Sequence, residues 1–457
     1  MKCILAIALL ALAPYSVVAE TLTLEQAVAR ALASDPRIDE RQHLAKAAEA
    51  LIAEVEGRGD WFLEGDFRIA LTTSAEGNIF VDGACNPGDC ELRDDRYSID
   101  GLSPWFYVRV GVIKPLYTFG KLENYSDAAR AYADVKKGDT EVQKAATVLD
   151  VKRAYYGYLA ARDSRLLLAD VSKRLQGAID LVQEWLDEGE GDVAQSDLYA
   201  LQSGRALVAK YRAQAIALER IALDGLKVVT GVGLGQPLTV ADRRLRPVSL
   251  PEDELVQLQA QALKMRPEMA QLAAGLQARR SLLLARKAEV KPNIYAGLAG
   301  LLSYSPRRDR LENPFVYDPF NDAGLTPVVG MQWKWAGAVS EAKAAAAESN
   351  LNAVIAKSSL AQQGIPYQVA EQYHQVQGYF EAVQELEVAT RAARRWMVSS
   401  FADFEAGLGQ ADKMLVAFQG YVMAASDYLQ TTFEYNMRVA QLDNAVGTAL
   451  GRAGREP

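Results

Sequence analysis

The chain has almost none of the residues from which metal centres and nucleophilic active sites are built. Histidine occurs twice in 457 residues, at His43 and His374, and cysteine occurs three times. Neither histidine lies in a nucleophile–base or metal-ligand pattern, and no Gly-Lys-Ser/Thr loop for phosphate is present. The sequence therefore predicts a protein that is not an enzyme and has no metal ion or other cofactor.

Long apolar runs are also missing beyond the first residues. Residues 1–19 have the pattern of a secretory signal peptide, with Lys2, an apolar stretch from Ile4 to Ala13, and small residues ending at Ala19. After them, no apolar run reaches the length of about 18 residues that a membrane helix needs. We expect an exported chain that has no membrane helix after the signal is removed.

Basic charge is in deficit, because the formal net charge is −8. This acidic balance provides no basic surface for binding a nucleic acid.

Removal of the signal leaves two cysteines, Cys85 and Cys90, on either side of a Pro-Gly turn. Export permits disulfide bonds, and no histidine lies nearby, so a small structural disulfide is expected rather than a metal site.

Proline is absent from two long segments, between Pro115 and Pro237 and between Pro366 and Pro457. A proline in a helix interior costs about 3 kcal/mol, so these gaps permit very long helices. Apolar residues recur there at alternating spacings of three and four, which is typical of coiled coils; examples are Leu415, Phe418, Val422, Ala425 and Leu429. We predict long helices over 120–231 and 337–450, and a helix over 121–188 would extend roughly 100 Å.

The sequence pattern occurs twice. Thr23-Leu-Glu-Gln26 and Ser249-Leu-Pro-Glu252 both resemble capping boxes, and each is followed by a short helical pattern and then Asp35-Pro36 or Arg266-Pro267. Each half then contains two strand-like stretches, a helix, a break that contains glycine, and another helix. We predict an internal two-fold repeat, with halves at 20–247 and 248–457.

Alternating apolar and polar residues predict a β-hairpin in each half, at 60–117 and 292–336. In the first strand, one face carries Trp61, Leu63, Phe67, Ile69 and Leu71, and the other carries Glu64, Asp66, Arg68 and Thr72. Strands of this length cross a membrane when tilted. Four tryptophans lie near strand ends, as in a membrane-interface girdle: Trp61, Trp105, Trp333 and Trp335. The alternative is an amphipathic hairpin that packs on a soluble core.

Several short motifs, in the same order in both halves, resemble the TolC family of outer-membrane efflux proteins. Thr23–Leu32 followed by Asp35-Pro36 looks like the opening of that family, and Lys114–Lys121 is similar to its strand-to-helix junction. The segments 191–198 and 407–415 resemble its glycine-then-aspartate turns between long helices. The resemblance covers essentially the whole chain after residue 19.

The resemblance implies an α+β membrane protein that forms a homotrimer. Each chain would give four strands to a shared twelve-stranded β-barrel, continuous with a long α-helical barrel in the periplasm. Such proteins sit in the outer membrane and conduct substrates passively from an inner-membrane transporter and a periplasmic adaptor, in tripartite efflux or type I secretion. The competing hypothesis is a periplasmic or surface coiled-coil structural protein without a pore.

The resemblance also places the closed periplasmic entrance at the helix turns. Asp197 matches the aspartate of the first turn, and in the second turn Phe404 takes the family's tyrosine position and Gly407 its glycine. Asp412 or Lys413 falls where the second aspartate is expected, and Gly409 stands at a family arginine. Our hypothesis is that Asp192, Asp197 and Asp412 form acidic rings that favour cations.

Two alternatives stay open for charged residues. The three aspartates are equally compatible with ordinary helix caps. Charged residues between the second pair of strands, among them Asp318, Asp322, Arg307, Arg308 and Arg310, are expected to lie in a solvated loop.

Overall fold

The structure is a computed structural model, and it describes residues 20–75, 88, 101–189, 193–311 and 315–451. The predicted signal peptide, the predicted Cys85–Cys90 disulfide and Asp192 lie outside the described residues.

The mixed helix and sheet fold class is confirmed, and helix predominates. The first half contains β1 (Glu20–Leu22), α1 (Leu24–Ser34), α2 (Pro36–Gly57), β2 (Phe62–Thr73), β3 (Leu102–Tyr117), α3 (Lys121–Glu188) and α4 (Gln195–Val229). The second contains β4 (Leu238–Val240), α5 (Leu255–Met265), α6 (Pro267–Ala288), β5 (Asn293–Tyr304), β6 (Asp322–Gln332), α7 (Gly337–Glu405) and α8 (Ala411–Val446). From α1 and again from α5, the order is two shorter helices, two strands and two long helices.

The chain divides into two compact units. One contains residues 1–43, 137–271 and 358–457, and the other contains residues 44–136 and 272–357. Across the described residues, no helix combines the length and the apolarity that crossing a membrane requires.

The first unit contains a short two-stranded sheet and a capped helix near its first described residue. β1 pairs in parallel with β4, and Thr21 and Thr239 share a hydrogen bond of 2.8 Å between their hydroxyls. Thr23 caps α1 as predicted, since its Oγ1 accepts from the Gln26 amide and the Gln26 side chain accepts from the Thr23 amide. The predicted capping box at Ser249 is wrong. α5 begins six residues later, at Leu255, with Glu254 as its N-cap, and Pro251 disfavours a helical conformation at Leu250.

The two X-Pro dipeptides form ion pairs of opposite polarity. Arg37 clamps the Asp35 carboxylate, with an Nη2–Oδ2 distance of 2.8 Å. Burial raises the pKa of Asp35, but hydrogen bonds from Arg37 and Thr147 outweigh it and hold the pKa below its usual range. In the second half, Arg266 clamps Glu268, with an Nη2–Oε1 distance of 2.9 Å. The fold therefore uses the same contact in both halves with the charges exchanged.

α7 begins before the proline-free segment that follows Pro366, so this helix contains a proline in its interior. α7 continues through Pro366. The residues beside it, Ile365 and Val369, are buried in the main core of this unit, so packing offsets the cost of the lost helical hydrogen bond.

The second unit is built on a four-stranded sheet of order β2-β3-β5-β6, in which all neighbours are antiparallel. The central ladder pairs β3 with β5 and so joins the two halves of the chain. β2 and β6 form the edges. Residues that pair across neighbouring strands lie on a common face. Phe67 pairs with Val108, which pairs with Leu302, which pairs with Ala323.

One face of this sheet is apolar across all four strands and exposed. Its large side chains include Leu63, Phe67, Ile69, Leu71, Phe106, Leu298, Leu302, Leu325, Val329 and Met331. Four of these, two from each edge strand, are between 72% and 79% exposed: Phe67, Ile69, Leu325 and Val329. The opposite face carries charged residues, including Asp66, which pairs with Arg68 at 2.6 Å. The predicted two-faced strands are therefore present.

The glycine that ends α8 provides a test of the first unit. Gly447 has a left-handed φ of 86°, and a Cβ there would lie 2.8 Å from the Met265 carbonyl carbon. We expect Gly447→Ala to cost at least about 1–2 kcal/mol from backbone strain alone. Gly177→Ala on α3, where a Cβ meets nothing, is expected to be neutral or stabilising. Chemical unfolding of both variants measures the difference, and equal midpoints would contradict this account.

Candidate functional site

Two helix turns, α3–α4 and α7–α8, contain the predicted entrance residues. Gly189 and Gly407 follow the ends of α3 and α7, and both have φ of 71°. At Gly407 the amide donates to the Phe404 carbonyl at 3.0 Å, and the Leu408 amide donates to the Asp403 carbonyl at 2.9 Å. This is a Schellman motif, in which glycine supplies the left-handed residue that ends the helix. The structure thus gives Gly407 a definite backbone role.

Asp197 lies in the first turn of α4 and caps that helix. Its Oδ2 accepts a hydrogen bond of 2.8 Å from the Ala194 amide, at the N-cap position. A carboxylate here also interacts favourably with the positive end of the helix dipole. The helix-capping alternative for Asp197 is therefore supported. Any further role of this carboxylate would have to be compatible with its bond to the Ala194 amide.

In the second turn, Asp412 and Lys413 take different positions at the start of α8. The N-cap of α8 is Gln410, so Lys413 occupies the helical position that Asp197 occupies in α4, and Asp412 lies one residue earlier. Asp412 is exposed, and its Oδ1 accepts from the Lys413 amide at 2.7 Å. The carboxylate lies beside the helix start without the reciprocal bond to the N-cap amide that Asp197 makes.

Phe404 is buried, with 1% of its surface exposed. Its ring centroid lies 5.5 Å from that of Trp185 on α3, and it packs in a cluster with Leu198, Leu201, Met397, Ala411, Met414 and Phe418. This tip cluster joins α3, α4, α7 and α8 just before the turns. The ring of Phe404 therefore contributes to packing of the helices beside the α7–α8 turn.

Gly409 is fixed by a close approach of backbone. A Cβ at this position would lie 3.0 Å from the Phe404 amide nitrogen and 3.2 Å from the Asp403 carbonyl carbon. This spacing is tighter than a side chain normally tolerates against backbone. The α7–α8 turn in its present conformation consequently leaves no room for an arginine at Gly409.

Three of the four predicted interface tryptophans share one end of the sheet. Trp61, Trp333 and Trp335 are 62%, 61% and 75% exposed and lie just outside β2 and β6, at the end where α3 and α7 begin. Trp105 differs. It lies near the other end of β3 on the face opposite Phe106, half-buried, and its Nε1 donates to Ser303 Oγ at 2.8 Å. Trp105 therefore lies at the opposite end of the sheet from the other three tryptophans and on its polar face.

Described residues between β5 and β6 make specific contacts where the sequence predicted a solvated loop. Asp318 is buried; its Oδ1 accepts from the Phe320 amide at 2.9 Å, and its Oδ2 accepts from the Leu311 amide at 3.0 Å. The Arg308 guanidinium stacks 4.0 Å from the centroid of the Phe320 ring and donates to the Thr73 carbonyl at 2.7 Å. The expectation was wrong for Asp318 and Arg308. It missed them because their partners are distant in sequence.

Across the described residues, no group of three or more histidine, cysteine or acidic side chains could hold a metal ion.

Comparison with known proteins identifies the fold. No protein-family model matches the chain, and no curated protein matches it by sequence. Among solved structures, the outer-membrane channel OprN matches with a TM-score of 0.73, at 16% identity, over 93% of this chain and 90% of that one. CmeC of Campylobacter jejuni (12% identity, 93% and 86% covered) and MtrE of Neisseria gonorrhoeae (15%, 93% and 89%), both described as outer-membrane channels, match at 0.73. The chain thus has the fold of TolC-family outer-membrane channels, as the resemblance predicted.

The tip cluster makes a prediction about stability at the turns. We expect Phe404→Ala to destabilise the tip by about 3–5 kcal/mol, because it removes a fully buried ring. Leu408→Ala is the matched control, since Leu408 is 85% exposed and four residues away. Amide hydrogen exchange in α7 and α8 near the turn measures the effect. Similar exchange rates in the two variants would show that Phe404 does not hold the tip together.

Proposed function

We propose that the chain is the outer-membrane channel subunit of an export system, and that it conducts substrates passively through an assembled tunnel. The observation that carries this proposal is the continuous apolar sheet face, exposed on all four strands at the end of two long helices. Exposure of so large an apolar face to water is unfavourable for an isolated chain. Membrane lipid would cover this face, and the similarity to solved outer-membrane channels supports a location in a membrane.

Assembly of several copies follows from the sheet edges. The outer edges of β2 and β6 need hydrogen-bond partners, which lipid does not supply. Because the sheet has four antiparallel strands, β2 and β6 run in opposite directions, and β6 of one copy can extend β2 of the next as another antiparallel pair. Three copies would close a twelve-stranded barrel, with α3, α4, α7 and α8 of each copy forming the periplasmic tunnel.

The proposed partners are a periplasmic adaptor and an inner-membrane transporter, which would supply the energy for transport. The chain would contribute the passive conduit and the entrance at the helix turns. We further infer that the two halves, 20–247 and 248–457, are an internal duplication, supported by their common element order.

A coiled-coil structural protein without a pore is the second candidate. Its support is the length of α3 and α7, of 68 and 69 residues. It leaves the exposed apolar sheet face without a function. Extraction of the protein from cells distinguishes the two candidates, because a pore protein requires detergent and migrates as a heat-sensitive oligomer.

Adjacent residues on opposite faces of the edge strand β6 test the lipid assignment. Leu325 belongs to the apolar face and Thr326 to the opposite one, and both are exposed. We expect Leu325→Lys to cost up to about 2–4 kcal/mol in lipid, depending on depth, and to reduce the heat-sensitive oligomer in the outer-membrane fraction. Thr326→Lys should be tolerated. If the two variants assemble equally well, the apolar face does not contact lipid.

The aspartates at the turns make a prediction about ion selectivity. If symmetry-related Asp197 and Asp412 line the entrance, together with Asp192, the double variant Asp197→Asn, Asp412→Asn should have a lower preference for cations. The amide oxygen that Asp197→Asn introduces would still accept the cap bond from Ala194, so the turn is retained. Glu348→Gln, elsewhere on α7, is the control for the loss of an acidic charge away from the turns. Reversal potentials in planar bilayers give the result, and an unchanged preference in the double variant would eliminate the acidic rings.

A further inference from the structure

A lysine lies on the apolar face of the sheet, at the end where the long helices begin. Lys114 pairs with Ala296, which pairs with Val329, so it shares the face of the exposed apolar residues. Along β3 that face otherwise carries Phe106, Val108, Val110 and Val112. The alternation along β3 therefore places the Lys114 side chain next to Val112, at the end of a series of apolar residues on this face.

The Lys114 side chain is held against an indole ring. Its Nζ lies 5.8 Å from the centroid of the Trp61 ring, which is largely exposed. In the described part of the chain, no carboxylate forms an ion pair with Lys114. A cation–π contact leaves the N–H donors that point away from the ring free to bind an anion. Whatever covers this part of the face must therefore accept hydrogen bonds from an ammonium group.

More indole rings and ammonium groups share this end of the sheet. The last ladder pair, Asn293 with Gln332, is followed by Trp333, whose Nε1 donates to the Val290 carbonyl at 2.8 Å and fixes the ring. Lys334 and Lys291 are exposed, and neither has a carboxylate partner among the described residues. Indole rings beside lysines are typical of the boundary between hydrocarbon and headgroups, where the lysine stem lies along apolar surface and the ammonium reaches phosphate.

We propose that this end of the sheet binds an anionic phospholipid, with the headgroup phosphate on Lys114 and the acyl chains along the apolar face beside Trp61. The inference rests on the proposed membrane location. α3 and α7 begin at this end, so in the proposed orientation it meets the periplasmic leaflet, and the ligand is a phospholipid of that leaflet. Lys334 and Lys291 would strengthen the local positive potential.

Lipid retention by the full chain tests the proposal. We would purify the oligomer in detergent, add phosphatidylglycerol or phosphatidylethanolamine, and count retained lipids by native mass spectrometry. The wild type should prefer phosphatidylglycerol. Lys114→Gln should weaken that binding about fivefold, as expected for about 1 kcal/mol per basic residue near an anionic surface. Lys114→Arg should retain it, and Lys173→Gln, an exposed lysine on α3, is the control.

Three results would overturn the proposal. Equal retention of the two lipids, or equal binding by Lys114→Gln and the wild type, would remove the site. Displacement of phosphatidylglycerol by inorganic phosphate would show that the site recognises a free anion and that the acyl chains add nothing to binding. Flotation with vesicles of phosphatidylethanolamine separates this failure from that of the channel. A protein that floats without preferring phosphatidylglycerol is still a membrane channel, whereas one that never floats contradicts both proposals.

Discussion

β2 and β6 each pair on one side only, which leaves the N–H and C=O groups of their outer edges without a partner in the described sheet. The apolar face of the same strands needs surroundings without water, yet such surroundings supply no hydrogen bonds to an edge. Pairing edge to edge with further copies satisfies both needs together. In the proposed assembly, the long helices that continue from β3 and β6 would be arranged around the same axis. The proposed assembly, its tunnel and its lipid boundary all depend on this conflict between a face and its edges.

At the turns, the four long helices are joined mainly by packing. Phe404 and Trp185 lie in one apolar cluster, while glycine residues end the helices and Asp197 caps the next one. A side-chain oxygen at this position therefore stabilises the start of α4 whether or not it meets a passing ion. An entrance built this way would change its opening through small movements of packed helices, since the charged groups at the turn are bound to their own backbone.

Periodicity explains what could be predicted from the sequence. The alternation from Leu63 to Leu71 and the proline-free segments indicate strands and long helices, because both signals are local. The N-cap of α5, the face of Trp105 and the burial of Phe404 and Asp318 depend on partners far along the chain, and no local pattern contains them. Lys114 is an intermediate case. Counting in twos from Val112 places it on the apolar face, but only the structure places its ammonium over Trp61.

The ion pairs at Asp35–Arg37 and Arg266–Glu268 constrain how the two halves can diverge. Reversing the charge of one member alone would set two like charges two residues apart beside the first turn of a helix, so the two charges of a pair can be exchanged only together. The wider contacts differ as well: Arg37 reaches the carboxylate of Asp150 on α3, whereas Arg266 reaches the neutral amide of Gln368 on α7. A chimeric chain that transplanted one dipeptide segment into the other half would have to carry its long-helix partner too.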